Sequence, residues 1–353
     1  MVKKLGNTGI ILFTAIYLIA YFAPQVNPTT SWPIALLGLA FPYLFLAGIL
    51  FIIILVSSQL KAKWILLIAL VPGFFKINEF YRFKSDPTPA LTENQITVLT
   101  YNVRSFNRYK WIDDDGVFED ILRLVKVENP DVVFFQEFYA SSEEQLKTII
   151  QRINEVCNLP YYNSFDKSGG GKANGLYTFS KYPLQLSRQQ RFSKNGVNGI
   201  LESKLNWNNK PITLLNFHLA SYQLSELNKQ SQSKEEQFKG AFYKIRNGLK
   251  TRSTQVSQLI TELKGDLDRT YIICGGDLND TPHSYAYQQI TDILYDSYTE
   301  AGSGEGKTYV GQLPGFRIDY LFHNEKLEAL RYHTIREIKS DHYPVVVRFG
   351  VQQ

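Results

Sequence analysis

Apolar positions follow two different rhythms along this chain. Up to residue 84 they run in long blocks, Ile10–Ala23, Pro33–Ser57 and Trp64–Phe75, separated by short polar connections. The second block is uncharged and long enough for a ~30 Å hydrocarbon core, which takes about 20 helical residues. The first reaches a similar length once Leu5–Gly9 is included. The third is short unless its helix continues past Lys76. These blocks predict a membrane region over 1–84 with two to three transmembrane helices. Lys3 and Lys4 precede the first block as they would in a signal peptide. No small-x-small cleavage site stands near Ala20–Pro24, however, and a full span follows at once, so the block reads as an anchor. Residues 85–94, with Pro87 and Pro89, read as a linker leaving the membrane.

From residue 95 the rhythm shortens. Gln95–Asn102 (QITVLTYN) alternates and is β-branched, as a strand should be. Val117–Val127 has helical spacing and stops at Asn129–Pro130, and Asp131–Gln136 is a short apolar run suited to a buried strand. Ser141–Val156 is helical, with Ser141 or Ser142 as its cap. Further strands are expected at Gly175–Ser180, Ile200–Leu205, Ile212–His218, Tyr271–Gly275, Ile318–Phe322 and Pro344–Phe349. Ser225–Leu267 is polar and predicts one or two surface helices, with Arg252 and Gln255 solvated. No repeat of fixed period is evident. Strands interleaved with helices indicate an α/β or α+β domain over 95–353, with helices covering the sheet faces.

Charge changes the picture. The chain carries 38 basic and 33 acidic residues, a net charge of +5 and a pI near 8.9. Seven of the basic residues (Lys3, Lys4, Lys61, Lys63, Lys76, Arg82, Lys84) and one acidic residue, Glu79, fall within 1–84. The rest holds 31 basic against 32 acidic residues, so the basic pI belongs to the membrane flanks and its hint of nucleic acid disappears. The mean hydropathy of −0.19 likewise averages two unlike parts. The connection Pro24–Trp32 is uncharged while Lys3, Lys4, Lys61 and Lys63 flank the other side. That distribution places the N-terminus in the cytoplasm and, with a third span, the catalytic region outside it. Lys76, Arg82 and Lys84 run against this orientation. Cys157 and Cys274 are too few for a disulfide framework, and Cys274 sits in an apolar run as a buried thiol would.

Candidate chemistry lies where apolar strands run out into polar residues. Asn102 follows VLTY, Glu137 follows VVFFQ, and His218 follows LLNF. Asp277 and Asn279 follow YIICGG, Asp319 follows FRI, and Asp341 and His342 precede PVVVRF. Any one alone is as readily a turn, cap or core residue. Together they hold what phosphoester hydrolysis requires, which is offset of negative charge and generation of a nucleophile. Hard oxygens such as Glu137 and Asp341 suit Mg²⁺ or Mn²⁺, and no Cys/His cluster has zinc spacing. Asp319 can orient and polarise His342, while Asn279 and His218 can donate to phosphate oxygens.

The motifs TYNVRSFN, DVVFFQE, NFHL, GGDLNDTP, RIDYLF and SDHYPV, in this order over about residues 95–350, resemble the endonuclease/exonuclease/phosphatase superfamily, in wording close to bacterial membrane-anchored members. The resemblance implies a four-layer α/β sandwich, two packed mixed β-sheets flanked by helices, here preceded by N-terminal transmembrane helices. It implies that Glu137, with Asn102 and Asp341, forms the metal side for Mg²⁺ or Mn²⁺. Asp277 would align or deprotonate the attacking water, Asn279 and His218 would bind phosphate, and Asp319 would pair with His342 as base or phosphate stabiliser. The implied activity is a metal-dependent phosphoester hydrolase, a phosphodiesterase or phosphatase in the cell membrane. A phospholipid or sphingolipid headgroup is the favoured substrate, because the helices hold the chain at a lipid bilayer. A nuclease acting on DNA or RNA is less favoured, since backbone binding needs clustered Lys and Arg. A non-catalytic membrane scaffold is the alternative of another class.

Two signals are set aside. Ser168–Lys172 (SGGGK) fails as a P-loop, because Asp166 stands where Gly is required and Ala173 where Ser or Thr is; a mobile loop at the rim is expected. His283 lies close to Asn279 in sequence, but Thr281–Pro282 more simply starts a helix.

Overall fold

The computed structural model describes residues 2–83, 94–165, 173–193, 196–223, 233–311 and 316–351. Most of the expected linker and the SGGGK loop lie outside the described residues. The chain forms two compact units. One comprises Met1–Tyr81, Tyr222–Thr254 and Asp280–Gln289, and the other comprises Arg82–Ser221, Gln255–Asn279 and Ile290–Gln353.

The second unit contains two six-stranded mixed sheets. The first has the order β11-β12-β1-β2-β4-β3, from Leu327–Thr334, Val345–Val351, Gln95–Asn102, Val132–Ala140, Ala173–Ser180 and Tyr161–Phe165. The second has the order β5-β6-β7-β8-β10-β9, from Gln185–Arg191, Gly199–Trp207, Lys210–His218, Tyr271–Asp277, Asp319–His323 and Tyr295–Asp296. Each sheet has one parallel pair at its centre, β1 with β2 and β7 with β8, inside otherwise antiparallel pairing.

Strand alternation builds the layers. On the outer face of the first sheet, Leu99, Tyr101, Val133 and Phe135 pack with Ile121 and Val125 of α5 (Val117–Glu128) and with Ile149 and Ile153 of α6 (Glu143–Cys157). On the inner face, Ile96, Val98, Val132 and Phe134 join Ile212, Leu214, Ile273 and Leu321 of the second sheet. Asn129 closes α5 in a left-handed conformation (φ 48°) ahead of Pro130. Ser142 caps α6, its Oγ accepting from the Gln145 N–H at 3.1 Å.

The inner faces change character along their length. Ile96 and Val98 give way to Thr100 and Asn102, Val132 and Phe134 to Gln136, and Ile212 and Leu214 to Asn216 and His218. The buried amides bond one another as this happens, leaving Gln136 Oε1 without a partner. Gln136 Nε2 donates to Thr100 Oγ1 (3.0 Å) and to Asn216 Oδ1 (2.8 Å), and Asn216 Nδ2 donates to the Phe135 and Tyr177 carbonyls. One end of the sandwich is thereby polar and buried.

The first unit is helical. α1 (Val2–Phe22) runs into a tight turn at Ala23–Gln25, followed by α2 (Trp32–Leu39), α3 (Phe41–Leu55) and α4 (Ala62–Phe80). Tyr17, Ala20, Phe41, Phe45, Leu66 and Leu70 pack inward, while Leu12, Leu46, Ile54, Ile68 and Phe75 point outward. Asn7 Oδ1 accepts from the Ala62 N–H at 2.9 Å, which starts α4 from a side chain of α1. Lys63 Nζ donates to the Leu55, Val56 and Ser58 carbonyls left over at the end of α3. Among the described residues one helical stretch, Lys3–Gln25, is long and apolar enough to cross a membrane.

The second expected span is not straight. It breaks at Ala40 with a bend of 60°, because Pro42 has no N–H for the Gly38 carbonyl. The third block does continue past Lys76, to Phe80. Three other expectations change. Arg252 and Gln255 are buried rather than solvated. They lie in α7 (Lys234–Lys264), where Arg252 Nε donates to Asp280 at 2.9 Å and its guanidinium lies 4.3 Å from the Tyr222 ring. The helix expected to start at Thr281–Pro282 starts at Tyr285. Four strands without clear alternation, β3, β5, β9 and β11, were not anticipated.

His283 is buried in the helical unit. Its Nε2 lies 3.1 Å from the Ala20 carbonyl, and its ring stacks on Phe41 with centroids 3.9 Å apart. Burial lowers its pKa to about 4.

Two predictions follow from these contacts. At Gly276 (φ 143°) a Cβ would lie 1.9 Å from the Phe217 carbonyl oxygen of the neighbouring parallel strand. Gly276→Ala is therefore expected to cost at least about 3 kcal/mol, read as a fall in thermal midpoint; melting like wild type would contradict the packing. For His283, the unfolded imidazole takes up a proton below about pH 6.5, while the folded one resists until about 4. The unfolded state thus binds more protons in that window, and stability falls as pH drops from 6.5 towards 4, by up to about 3 kcal/mol. His283→Phe should flatten this dependence in melts taken across the range.

Candidate active site

Strand register sets the site. His218 on β7 pairs with Asp277 on β8, and Asp277 pairs with Asp319 on β10, so the three residues form one row across adjacent strands. Side chains that share a row and a face sit about 5 Å apart, which converges two carboxylates and an imidazole. The first sheet adds Asn102 from the end of β1 and Glu137 from β2. Glu137 sits where the pairing of β2 with β4 shifts between Phe135 and Phe138, and its φ is 52°. A bulge of this kind re-aims a side chain, here towards the polar end.

Asn102 joins the two sheets. Its Nδ2 donates to Glu137 Oε1 (3.2 Å) and to Asp277 Oδ2 (3.0 Å), and its Oδ1 accepts from the Arg104 N–H (3.0 Å). The Asn102 carbonyl accepts from Ser340 Oγ at 2.8 Å, which fastens the Ser340–Asp341–His342 segment to β1. His342 Nδ1 lies 2.8 Å from Asp319 Oδ2, and its Nε2 lies 3.8 Å from Asp277 Oδ2. His218 Nε2 is 3.5 Å from Asp277 Oδ2 and 3.8 Å from Glu137 Oε1. Asn279, at φ 55°, donates its N–H to Asp277 Oδ1 (2.8 Å) and its Nδ2 to the Leu219 carbonyl (3.0 Å) and Asp277 Oδ2 (3.1 Å). Asp341 faces Arg104, with Oδ2 2.9 Å from Nη1.

All eight residues expected from sequence therefore lie at this end of the sandwich. Seven form one connected network, and Asp341 joins it through Ser340 and Arg104. Sequence reasoning missed Ser340, Thr308 and Arg104. Thr308 Oγ1 accepts from the backbone N–H groups of Ile318 and Asp319 and fixes where β10 begins. Arg104 was within reach, since it stands two residues after Asn102 in a motif already singled out.

The turn carrying Arg104 is left-handed over four residues, with φ of 42°, 55°, 52° and 61° at Arg104, Ser105, Phe106 and Asn107. That conformation costs about 1–2 kcal/mol per residue. Asn107 offsets part of the cost, its Nδ2 donating to the Ile112 and Asp114 carbonyls and its Oδ1 accepting from the Ile112 N–H. Phe106 adds ring contacts with Phe118 and Phe138.

Burial and charge oppose each other throughout the site. Burial disfavours charge on His342, yet Asp319 and then Asp277 hold its pKa well above the ordinary value. His218 behaves likewise, with burial opposed by its bond to Asp277 and by Glu137. Burial would raise Asp277, but His342, His218 and Asn102 keep it below the usual carboxylate value. Burial dominates at Asp319 and pushes it up, against His342. The Asp319–His342 pair therefore retains a proton firmly, and Asp277 remains an anion.

The donor set fits a hard divalent cation. Oxygens of Asp277 and Asp319 lie within 4.8 Å of one another and of a ring nitrogen of His342, and Asn102 bonds both Glu137 and Asp277. Asp319 Oδ1 is buried without a hydrogen-bond partner, which a cation would supply.

Residues 5–80 match a domain of unknown function, DUF8431. No curated protein matches the chain. Among solved structures, an endonuclease/exonuclease/phosphatase family protein from Bacteroides thetaiotaomicron aligns at TM-score 0.51 and 17% identity, over 73% of this chain and 98% of that one. TDP2 from C. elegans aligns at 0.51 and 16% identity, over 84% and 83%. D. rerio TDP2 complexed with single strand DNA product aligns at 0.51 and 14% identity, over 73% and 99%. These likenesses show the fold, two packed mixed sheets flanked by helices. Residues 99–342, more than half of the chain, match the model of the Endonuclease/Exonuclease/phosphatase family, whose members are typically metal-dependent phosphoester hydrolases, and the chain belongs to that family.

Proposed function

We propose that this protein is a membrane-anchored phosphoester hydrolase dependent on Mg²⁺ or Mn²⁺. The observation that carries the reading is the row His218–Asp277–Asp319, closed by His342 and linked through Asn102 to Glu137. Glu137, Asn102 and Asp341 would form the metal side, with Asp277 bonded to Asn102. A bound divalent cation supplies charge neutralisation and a more acidic water.

The protein's own groups do the rest. Asp277 stays ionised between two histidines and two amides, and so can orient a water and accept its proton. The bond from the Asn279 N–H to Asp277 Oδ1 fixes the direction of that carboxylate. His342, held by Asp319, presents Nε2 as a donor to a phosphate oxygen or to the leaving oxygen, and His218 offers a second donor from the opposite flank.

Anchoring is multi-pass on this reading, through α1, the bent pair α2–α3, and α4. The outward apolar side chains of these helices support it, and the lysine distribution favours an extracytoplasmic catalytic unit. Tethering at a bilayer favours a phospholipid or sphingolipid headgroup as substrate. A nuclease acting on DNA or RNA is the second reading, suggested by the D. rerio relative with single strand DNA product. It is weakened by the near-neutral charge of residues 85–353.

The test is a panel of sphingomyelin, inositol phosphates, DNA, RNA and bis-p-nitrophenyl phosphate, given to the full-length protein in detergent with Mn²⁺ or with chelator. Turnover should require metal and be greatest on a lipid headgroup; preference for nucleic acid would transfer the conclusion to the second reading. Glu137→Gln and His342→Ala should each lower turnover by about 10²–10⁴-fold while keeping the circular-dichroism spectrum of the folded protein. Wild-type rates in either would overturn the site roles. Protease added to intact cells should release the catalytic unit, and full protection would refute the outward orientation.

A further inference from the structure

Three features meet at Arg104. The left-handed turn of residues 104–107 is an expensive conformation maintained by bonds from Asn102 and Asn107. Strain of this kind persists where the surroundings over-determine it, and it clusters at ligand clamps. Its main consequence here is to aim one guanidinium across the metal side.

That guanidinium is held but incompletely bonded. Nη1 lies 2.9 Å from Asp341 Oδ2 as an ion pair, yet it is closed from solvent without an aligned hydrogen-bond acceptor. The plane lies 5.0 Å from the Trp111 ring, which restricts how it can turn. A buried N–H without an acceptor suits an oxyanion that arrives with the substrate.

Charge gives the third argument. Glu137, Asp277, Asp319 and Asp341 surround the place where an anionic phosphate must sit. Arg104 brings a guanidinium to these carboxylates, 2.9 Å from Asp341 Oδ2. Its fork matches phosphate geometry in a way that a lysine cannot.

We propose that Arg104 is a substrate-binding residue that takes a phosphate oxygen on the Asp341 side of the site, exchanging its ion pair with Asp341 for a phosphate contact. The proposal rests on the hydrolase reading for the identity of the ligand, and its chemistry is that of any phosphoester group, from a lipid headgroup or a free phosphate compound. The alternative is that Arg104 only positions Asp341.

The test uses full-length protein in detergent, as wild type, Arg104→Ala and Arg104→Lys. Binding of inorganic phosphate to Mn²⁺-loaded protein and binding of Mn²⁺ alone are measured by calorimetry, alongside turnover of bis-p-nitrophenyl phosphate and of sphingomyelin vesicles. Arg104→Ala should weaken phosphate binding and lower kcat/KM by about 10- to 100-fold, with Lys restoring part of each. Mn²⁺ affinity should hold or tighten, because a positive neighbour has been removed. Equal loss on both substrates assigns the contact to the shared phosphate; a loss confined to vesicles would overturn that assignment. Unchanged phosphate affinity, absent phosphate binding in wild type, or a fall in Mn²⁺ affinity of similar size would also overturn it. If wild type binds phosphate through Arg104 but hydrolyses nothing, the inference stands and the hydrolase reading falls. Turnover that ignores Arg104 gives the reverse.

Discussion

An ionised carboxylate, Asp277, has to keep its charge where water scarcely reaches. It is 1% exposed. Transferring an unpaired carboxylate into such a place is so costly that it would take up a proton instead. Here both oxygens are engaged, Oδ1 by the Asn279 N–H and Oδ2 by the Asn102 and Asn279 amides, with two histidines 3.5 and 3.8 Å away. None of these partners comes from the same strand. Asn102 needs β1 of the opposite sheet, His218 needs the parallel register of β7, and His342 needs the anchoring of Ser340 to β1. The charge state of one side chain therefore depends on both sheets being in register and packed together.

At the same end of the sandwich the backbone leaves its comfortable regions several times. Glu137, Asn279 and the run from Arg104 to Asn107 all have positive φ without being glycine. The strain is tolerated because the apolar rows behind the site are buried and packed on one another. Phe106 is an example, since its ring is wedged against Phe118 and Phe138 while its own φ is 52°. Rigidity behind the site and distortion in front of it are two sides of one arrangement.

Much of this was legible in the sequence because the signals were local. A strand that alternates and then ends in Asn, His or Asp reports both its inner face and the end at which that face turns polar. β1 was delimited residue for residue in this way, and the eight candidate residues stand at or just beyond such ends. The signals that failed depend on distant partners. Arg252 sits among polar neighbours on a long helix, and no local pattern says that Asp280 and the Tyr222 ring enclose it. β5 is mostly exposed and owes its existence to β6, so its sequence QLSRQQR carries no alternation. The bend at Ala40 was readable in principle from Pro42, but hydropathy, which governed the reading of Pro33–Ser57, does not count missing N–H groups.

The motif GGDLNDTP is divided between two units, and this bears on what the helical region does. Asp277 and Asn279 belong to the sheet unit, whereas Asp280 and the residues after it belong to the helical one. Asp280 is tied to Arg252, and His283 is stacked on Phe41 and bonded at the Ala20 carbonyl. A tether would need no such contacts, since one covalent connection suffices to hold a domain at a surface. The peptide bond between Asn279 and Asp280 joins the Asn279 amide to a residue held in a buried ion pair. Breaking such a pair by removing one partner strands a buried charge and costs about 3–5 kcal/mol, far more than an exposed loop could transmit. A fragment that begins after the helices would keep Asp280 and Arg252 but would uncover His283 on the faces now closed by Phe41 and Ala20. The helices thus pack on His283, just beyond the motif, within their own unit.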